Sequence, residues 1–271
     1  MPCRQLDLFS DAGPRPEPGS RPDSEHRFPV AAELADAALI AALPESSLGD
    51  SLALAAEAGR RRLAAAIPAL AALCRRFTGY GIDRVVPEQV AAVQALEQIG
   101  GRDAAQALAM AIARQVVQGP ALTVAVRAAA RLRANLPADV VRSLLRHADP
   151  GVRADACLCA RSSADAIAVL IDLLDDLDAN VARSAACALG RMGRIEGRPA
   201  LIRLLRDEPS EEVIDAACAV ADSECTVLIG RIARRMPDLA DAALNALESI
   251  DLPQAAASAA ALRKIRSATG A

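Results

Sequence analysis

Few residues in this 271-residue chain have the types that do chemistry. The histidines are His26, in a Pro/Gly/charged stretch, and His147, at the end of a helical pattern. One histidine in a structured segment cannot supply a metal pair or a supported Cys–His dyad. The seven cysteines are Cys3, Cys74, Cys157, Cys159, Cys187, Cys218 and Cys225, and none of them forms a Cys-x-x-Cys. Cys157, Cys187 and Cys218 fall at small-residue positions of helical patterns, where a free thiol serves as a slightly larger alanine. Asp172, Asp175, Asp176 and Asp178 crowd one helix end and read as exposed, solvated charge rather than a cation site. The phosphate loop, the dinucleotide fingerprint, the zinc-protease helix and the nucleophile elbow are all missing. The expectation is a chain without catalytic residues, cofactor or metal.

Recognition is what the remaining residues suggest, in two places. The first is a set of arginines, Arg127, Arg131, Arg133, Arg153, Arg161, Arg183 and Arg191, followed by the acids Glu211, Glu212, Asp215, Asp222, Asp238, Asp241 and Glu248. A surface that switches from basic to acidic along its length would orient a protein partner. For Arg153 and Arg183 an inter-repeat Asp–Arg ladder, with Asp149 as the acid, is an equally open reading. The second place is the N-terminal Gln5-Leu6-Asp7-Leu8-Phe9. Its three apolar side chains precede a Pro/Gly/charged tract that cannot bury them, so they form either an extended peptide ligand or a flap over the first helices.

The arginines and acids sit on a repeating scaffold. Leu170-Ile171-x-Leu173-Leu174 recurs as Leu201-Ile202-x-Leu204-Leu205, then more loosely as Leu228-Ile229 with Ile232. Apolar residues at i, i+1, i+3 and i+4 make a wide stripe on one helix face. A second helix type alternates with the first. In it Ala128, Ala156, Ala185, Ala217 and Ala243 each follow an apolar residue four positions earlier: Val124, Val152, Val181, Val213 and Leu239. The spacing of about thirty residues marks a helical repeat array, in which neither helix can bury its stripe alone. Asp149-Pro150, Asp178, Ser210 and Pro237-Asp238 stand where the second-type helices begin, as caps and first-turn prolines. Gly190 and Gly193 stand at the end of one of them.

Val152-Arg153, Ala185-Ala186-x-Ala188-Leu189-Gly190 and the Leu-Ile-x-Leu-Leu segments resemble the HEAT-repeat family, specifically its short bilin-lyase-like type. The resemblance implies an all-α solenoid, an α-α superhelix of about six to seven helix pairs. It also implies that the second-type helices line a concave, partner-binding side. It carries little about function, because the repeat serves many unrelated proteins. The HEAT-like hydroxylases carry His-Glu pairs, and no His-Glu dipeptide occurs here. A HEAT-like DNA glycosylase would need a basic groove with aromatic contacts, whereas aromatics make up 1% of this chain and its distal half is acidic. Gln5-Leu6-Asp7-Leu8-Phe9 resembles, at all five positions, the short motif by which bacterial DNA polymerases and repair proteins bind the ring-shaped sliding clamp. That resemblance implies polar contacts from Gln5, a small pocket for Leu6 and a larger one for Leu8 and Phe9.

Three regions follow: a tail at 1–29 carrying the short motif, a helical cap at 30–59 and the repeat array at 60–271. Within the array, helices are expected at 87–99, 104–117, 120–132 and 138–145, with a Gly-bracketed break around Phe77 and Tyr80. Hydrophobic residues make up 53% of the sequence with no Trp, so the core is built from Ala, Leu, Val and Ile. Net charge is −3, which gives no whole-molecule attraction to nucleic acid or anionic membrane. The odd cysteine count, the lack of a signal-peptide pattern and the lack of a membrane-length apolar run point to the reducing cytoplasm. The functional expectation is a non-catalytic scaffold or adaptor for a macromolecular partner, in the first place a protein, with direct nucleic-acid binding disfavoured. The alternatives are a DNA-maintenance factor tethered to a sliding clamp and, third, a HEAT-like glycosylase or bilin-lyase-like enzyme.

Overall fold

A computed structural model describes residues 31–76 and 84–269 (the backbone alone for 265–269). Among the described residues every regular element is a helix. In chain order these are α1 (Asp36–Ala42), α2 (Leu48–Arg60), α3 (Ile67–Arg75), α4 (Pro87–Ile99), α5 (Gly101–Ala113), α6 (Pro120–Arg131), α7 (Ala138–Leu145) and α8 (Pro150–Cys159). They continue with α9 (Ala164–Asp172), α10 (Ala179–Arg191), α11 (Arg198–Asp207), α12 (Glu211–Cys218), α13 (Ser223–Arg235), α14 (Ala240–Ser249) and α15 (Pro253–Thr269). α2 ends at Arg60, one residue past the expected boundary at 59.

The helices form two layers. The even helices stack in unbroken succession from α2 to α14, each packed on the next. The odd helices lie on the other side, with close pairs α3–α5, α7–α9, α11–α13 and α13–α15. This is the all-α solenoid expected from the repeat, with seven helix pairs and α15 closing the end. Side-chain size separates the layers. Even helices meet through alanines without exposure, among them Ala92, Ala125, Ala128, Ala156, Ala185, Ala217 and Ala243. Leu70, Leu108, Leu145, Leu170, Leu201 and Ile229, on the odd helices, fill the space between layers and are equally buried. Small residues allow backbones to approach; larger ones then fill what remains at the density of a protein interior.

Gly190 marks the closest of these approaches. It lies inside α10, where a Cβ would sit 2.5 Å from the carbonyl oxygen of Ala216 on α12. It stands in the last turn of α10, near the helix end as expected, and adds an inter-helix contact that the sequence did not suggest. Gly193 ends the helix itself, in the left-handed region at φ +68. The Gly193 N–H reaches the Gly190 carbonyl and the Arg194 N–H reaches that of Leu189. This double closure satisfies carbonyls that the helix end leaves open. The same closure stops α5 early. Gln115 at φ 53 donates to Ile112, and Val116 donates to Ala111, so the helix occupies 101–113 rather than the expected 104–117.

The N-terminal caps follow the expected residues. Asp149 Oδ1 accepts from Gly151 at 2.7 Å, Asp178 Oδ1 from Asn180 at 2.9 Å, and Ser210 Oγ from Val213 at 3.4 Å. Pro237-Asp238 instead forms a short 3-10 turn without a side-chain cap. The buried apolar residues form two clusters, one ending in Ala185, Ala188 and Leu189 and the other beginning in Ala186 and Cys187. α10 contributes to both and joins them.

A separate polar knot fixes the first helices. Arg61 donates to the carbonyls of Leu34 and Ala32 at 2.7 and 2.8 Å and to Asp36 Oδ1 at 2.8 Å. It also donates to Glu57, which receives two further bonds from Arg60. Those hydrogen bonds, first from Arg60 and then from Arg61, hold the Glu57 carboxyl down from 4.5 to about 2. A depressed carboxyl stabilises the folded state above its ordinary value and stops doing so as the pH falls through the folded value. Acid titration followed by circular dichroism should therefore show stability falling between about pH 4.5 and 2, with a smaller fall in Glu57→Gln; equal acid sensitivity of the variant would contradict this assignment. For the layer contact, Gly190→Ala should cost about 1–3 kcal/mol in chemical denaturation, because Ala216 presents backbone that cannot yield, and Ala185→Leu a similar amount, because Ala185 is fully buried in the even layer. An unchanged midpoint in both would place the even-layer contact wrongly.

Candidate partner-binding face

The arginines singled out in the sequence all lie on the even layer, or just beyond one of its helices, and five of them, Arg127, Arg131, Arg153, Arg183 and Arg191, reach to a neighbouring repeat. On α6, Arg127 Nε lies 3.2 and 3.3 Å from the Asp155 carboxylate oxygens on α8. Arg131 reaches the other way, its Nη1 2.8 Å from Glu97 Oε1 on α4. The two arginine side chains remain 53% and 66% exposed. Water competes for the two guanidinium ends, while their acids are more covered, Asp155 at 12% and Glu97 at 23%. The exposed guanidinium groups can pair with a further carboxylate from solvent without leaving these acids.

Arg153 and Arg183 are placed differently. Arg153 sits on α8 with 17% of its side chain exposed, and its partner Asp176 with 8%. The pair is two-pronged, Nε to Oδ2 at 2.9 Å and Nη2 to Oδ1 at 2.8 Å. Arg153 Nη1 also donates to the carbonyls of His147 and Ala148, each at 2.9 Å. One guanidinium thereby joins the loop before α8 to the loop before α10. The planar fork of donors suits this task in a way an ammonium would not. Arg183 occupies the equivalent place on α10, with Nη2 2.8 Å from Ser210 Oγ and Nη1 3.2 Å from Glu208 Oε2. An inter-repeat ladder does form at these arginines, but its acids are Asp176 and Glu208. Asp149, the acid expected there, is occupied in capping α8. Sequence spacing cannot distinguish an acid that points along its own helix axis from one that points at the next repeat.

The aspartate cluster divides accordingly. Asp176 accepts from Arg153 and from the Asp178 N–H, and the Arg153 bond foremost holds its carboxyl below the ordinary value. Asp178 caps α10. These two are structural, while Asp172 and Asp175 are exposed as expected. Among the described residues no group of three or more His, Cys, Asp or Glu is placed to hold a metal ion.

Toward the distal end the same face turns acidic. Glu211, Glu212 and Asp215 on α12 and Asp241 and Glu248 on α14 are exposed. Glu212 pairs with Arg191 across the boundary, Nη1 to Oε1 at 3.1 Å. Leu158, three residues after Asp155, adds an apolar side chain that is 41% exposed. The face thus carries separated positive and negative ends with an apolar residue among them. The partly exposed Cys218 on α12 has its Sγ 3.1 Å from Ser249 Oγ on α14, while the other described cysteines are buried. Burial pushes the thiols of Cys74, Cys157 and Cys159 up to about 12 and that of Cys187 up to about 11, so thiolate is scarce near neutral pH.

Gln5, Leu6, Asp7, Leu8 and Phe9 lie outside the described residues, as do Phe77 and Tyr80. A charge tally confined to second-type helices misses a second group of arginines, on α11 and α13. Arg203 and Arg206 are three residues apart, and Arg231 stands three and four residues before Arg234 and Arg235. That spacing puts each set on one helix face and was available in the sequence.

The two kinds of arginine should separate by measurement. Asp176→Ala leaves Arg153 half-buried without its carboxylate and should cost about 1–3 kcal/mol. Arg131→Ala, at the more exposed of the even-face pairs, should cost about 0.5 kcal/mol or less. The Asp176 contribution should be present above the ordinary carboxylate value and disappear as the pH falls through the lower folded value. Equal costs for the two substitutions in urea denaturation at neutral pH would contradict the distinction.

Residues 138–221 match the family model described as HEAT repeats. The matched stretch runs from α7 through α12 and holds both the Arg153 and the Arg183 stitches. Comparison with curated proteins returns no match.

Proposed function

We propose that this chain is a non-catalytic scaffold or adaptor that binds a protein partner through the exposed face of its even helices. The observation that carries the reading is the two-signed face itself: Arg127 and Arg131 largely exposed on α6, and the acids of α12 and α14 at the other end. A partner with the complementary order of charge would be drawn in and set in register by such a face. The family match supports the general role, since HEAT repeats commonly form protein-interaction scaffolds. Arg153 and Arg183 belong to this surface as positioning residues, because their inter-repeat bonds set the spacing at which the other side chains are presented. The reading places the protein in the cytoplasm. The free thiols of Cys74, Cys157, Cys159, Cys187, Cys218 and Cys225 suit a reducing compartment, and no helix among the described residues is long and apolar enough to cross a membrane.

A second reading rests on one specific observation, the five-position match of Gln5-Leu6-Asp7-Leu8-Phe9 to the clamp-binding motif. In that reading the tail tethers the solenoid to a bacterial sliding clamp, and the even face holds a further protein there. The enzymatic readings draw no comparable support, for three Phe and one Tyr are a poor supply of stacking surface for a flipped base or a pigment.

The test is affinity purification of the full chain with chemical crosslinking and mass spectrometry, followed by direct binding to the recovered partner. Crosslinks should fall on α6 to α14 of the even layer. Arg127→Gln with Arg131→Gln, which put no like charge beside Asp155 and Glu97, should weaken binding roughly tenfold or more with only a small change in melting temperature. Undiminished binding by that variant would remove the even face from consideration. For the second reading, a peptide of residues 1–12 should bind a purified bacterial clamp at micromolar affinity and lose it when Leu8 and Phe9 are replaced by Ala; no binding would end the tether proposal.

A further inference from the structure

At the distal end of the array the two layers carry opposite charge. α12 and α14 expose carboxylates on the even side. On the odd side α11 and α13 expose Arg203, Arg206, Arg231, Arg234 and Arg235. A groove of about 310 Å³ runs between α11 and α13 within this basic region. Its floor is apolar, made by Leu205, Leu228 and Ile232, and Met236 stands at one edge, 38% exposed. Arg206, Arg231 and Arg235 line its rim. Arg206 is held by Glu224. Arg231 and Arg235 are exposed, have no acidic partner among the described residues, and stand four apart on one helix face, where like charges repel. α15 does not fill the groove, because it packs on the other flank of α13, where Gly230 faces Ser258.

We propose that this groove is a second docking surface, for a partner protein segment that seats a large apolar side chain on the Leu205–Leu228–Ile232 floor and flanks it with carboxylates. The floor selects the apolar group by removing its surface from water. The rim selects the flanking charge, since an anion seated between Arg231 and Arg235 gains charge-assisted hydrogen bonds from both and relieves their mutual repulsion. A nucleic-acid backbone would satisfy the rim but leave the floor without a use. The groove lining contains no aromatic ring on which a base could stack. The surface lies on the layer opposite the even face and does not rest on the scaffold reading given above. Two faces of opposite sign would let one solenoid hold two different partners.

The experiment is fluorescence anisotropy on the full chain with a set of short labelled peptides in which leucine or phenylalanine is flanked by aspartate and glutamate. Controls are an all-acidic peptide of the same charge and a labelled oligonucleotide, single- and double-stranded. The acidic–apolar peptides should bind, the all-acidic peptide roughly tenfold more weakly. Arg231→Gln with Arg235→Gln should lose roughly tenfold or more at unchanged melting temperature, and Met236→Ser a smaller factor. Arg127→Gln with Arg131→Gln, on the opposite layer, should leave peptide binding as it was. Absence of peptide binding, or binding that survives the α13 double substitution, overturns the proposal. Oligonucleotide binding that depends on Arg231 and Arg235 while the peptides fail makes the groove a nucleic-acid site instead. Concentration-dependent self-association in sedimentation, abolished by the same double substitution, makes a second copy of the chain the occupant and likewise overturns it.

Discussion

The rest of the structure depends on how near the even helices come to one another. Where Gly190 meets the Ala216 carbonyl, there is no room for a single additional carbon. Gly59 meets the Ala95 backbone on α4 in the same way, a Cβ at Gly59 falling 2.9 Å from the Ala95 Cα. Between these two points the contact is made by alanine. Close approach of that kind buries backbone as well as side chain and tolerates neither extra volume nor a void. The odd helices, which carry leucine and isoleucine on their buried faces, are left to close the other side. A two-layer array with one tight and one loose layer follows from that difference in side-chain size alone.

The tight layer has electrostatic consequences. Helices that close bring their exposed side chains within reach of the next repeat, so an arginine on one helix finds an acid on its neighbour. Arg127, Arg131 and Arg191 use this to span adjacent even helices, and Arg153 and Arg183 to join successive loops. The two groups differ in what water can do to them. The Arg153–Asp176 pair is shielded and holds the register of α8 and α10. The Arg127 and Arg131 guanidinium groups are open to water while their acids are more covered, so these side chains present positive charge on the face without giving up their internal partners. Repeat proteins transmit stability only between neighbours. The shielded Arg153–Asp176 stitch therefore matters most where it stands, between α8 and the α10 junction of the two apolar clusters.

Much of this was legible in the sequence. The alternation of Leu-Ile-x-Leu-Leu with alanine-rich segments announces both layers, since a stripe of small residues and a stripe of large ones cannot serve the same packing role. The ends of α4 and α7 and the caps at Asp149, Asp178 and Ser210 follow from Pro, Asp and Ser at those positions. The misreadings share a cause. Gly190 reads only as part of the helix end beside Gly193, and the position of α12 shows that it also meets a backbone. α5 looks longer because Val117 continues the apolar pattern, yet Gln115 takes the left-handed conformation that usually calls for glycine and turns the chain. Asp149 looks like the partner of Arg153 because it is near in sequence, whereas Asp176 is near in space. Charge on the odd layer escaped a reading that followed the even helices alone.

If the even layer is the cohesive one, native-state hydrogen exchange should show it residue by residue. Amides of α8, α10 and α12 should be the slowest to exchange, with protection falling along the even helices toward α2 and α14, and the odd helices opening more readily than the even helices they cover. Uniform protection across both layers, or slower exchange in the odd helices than in α10, would contradict the account.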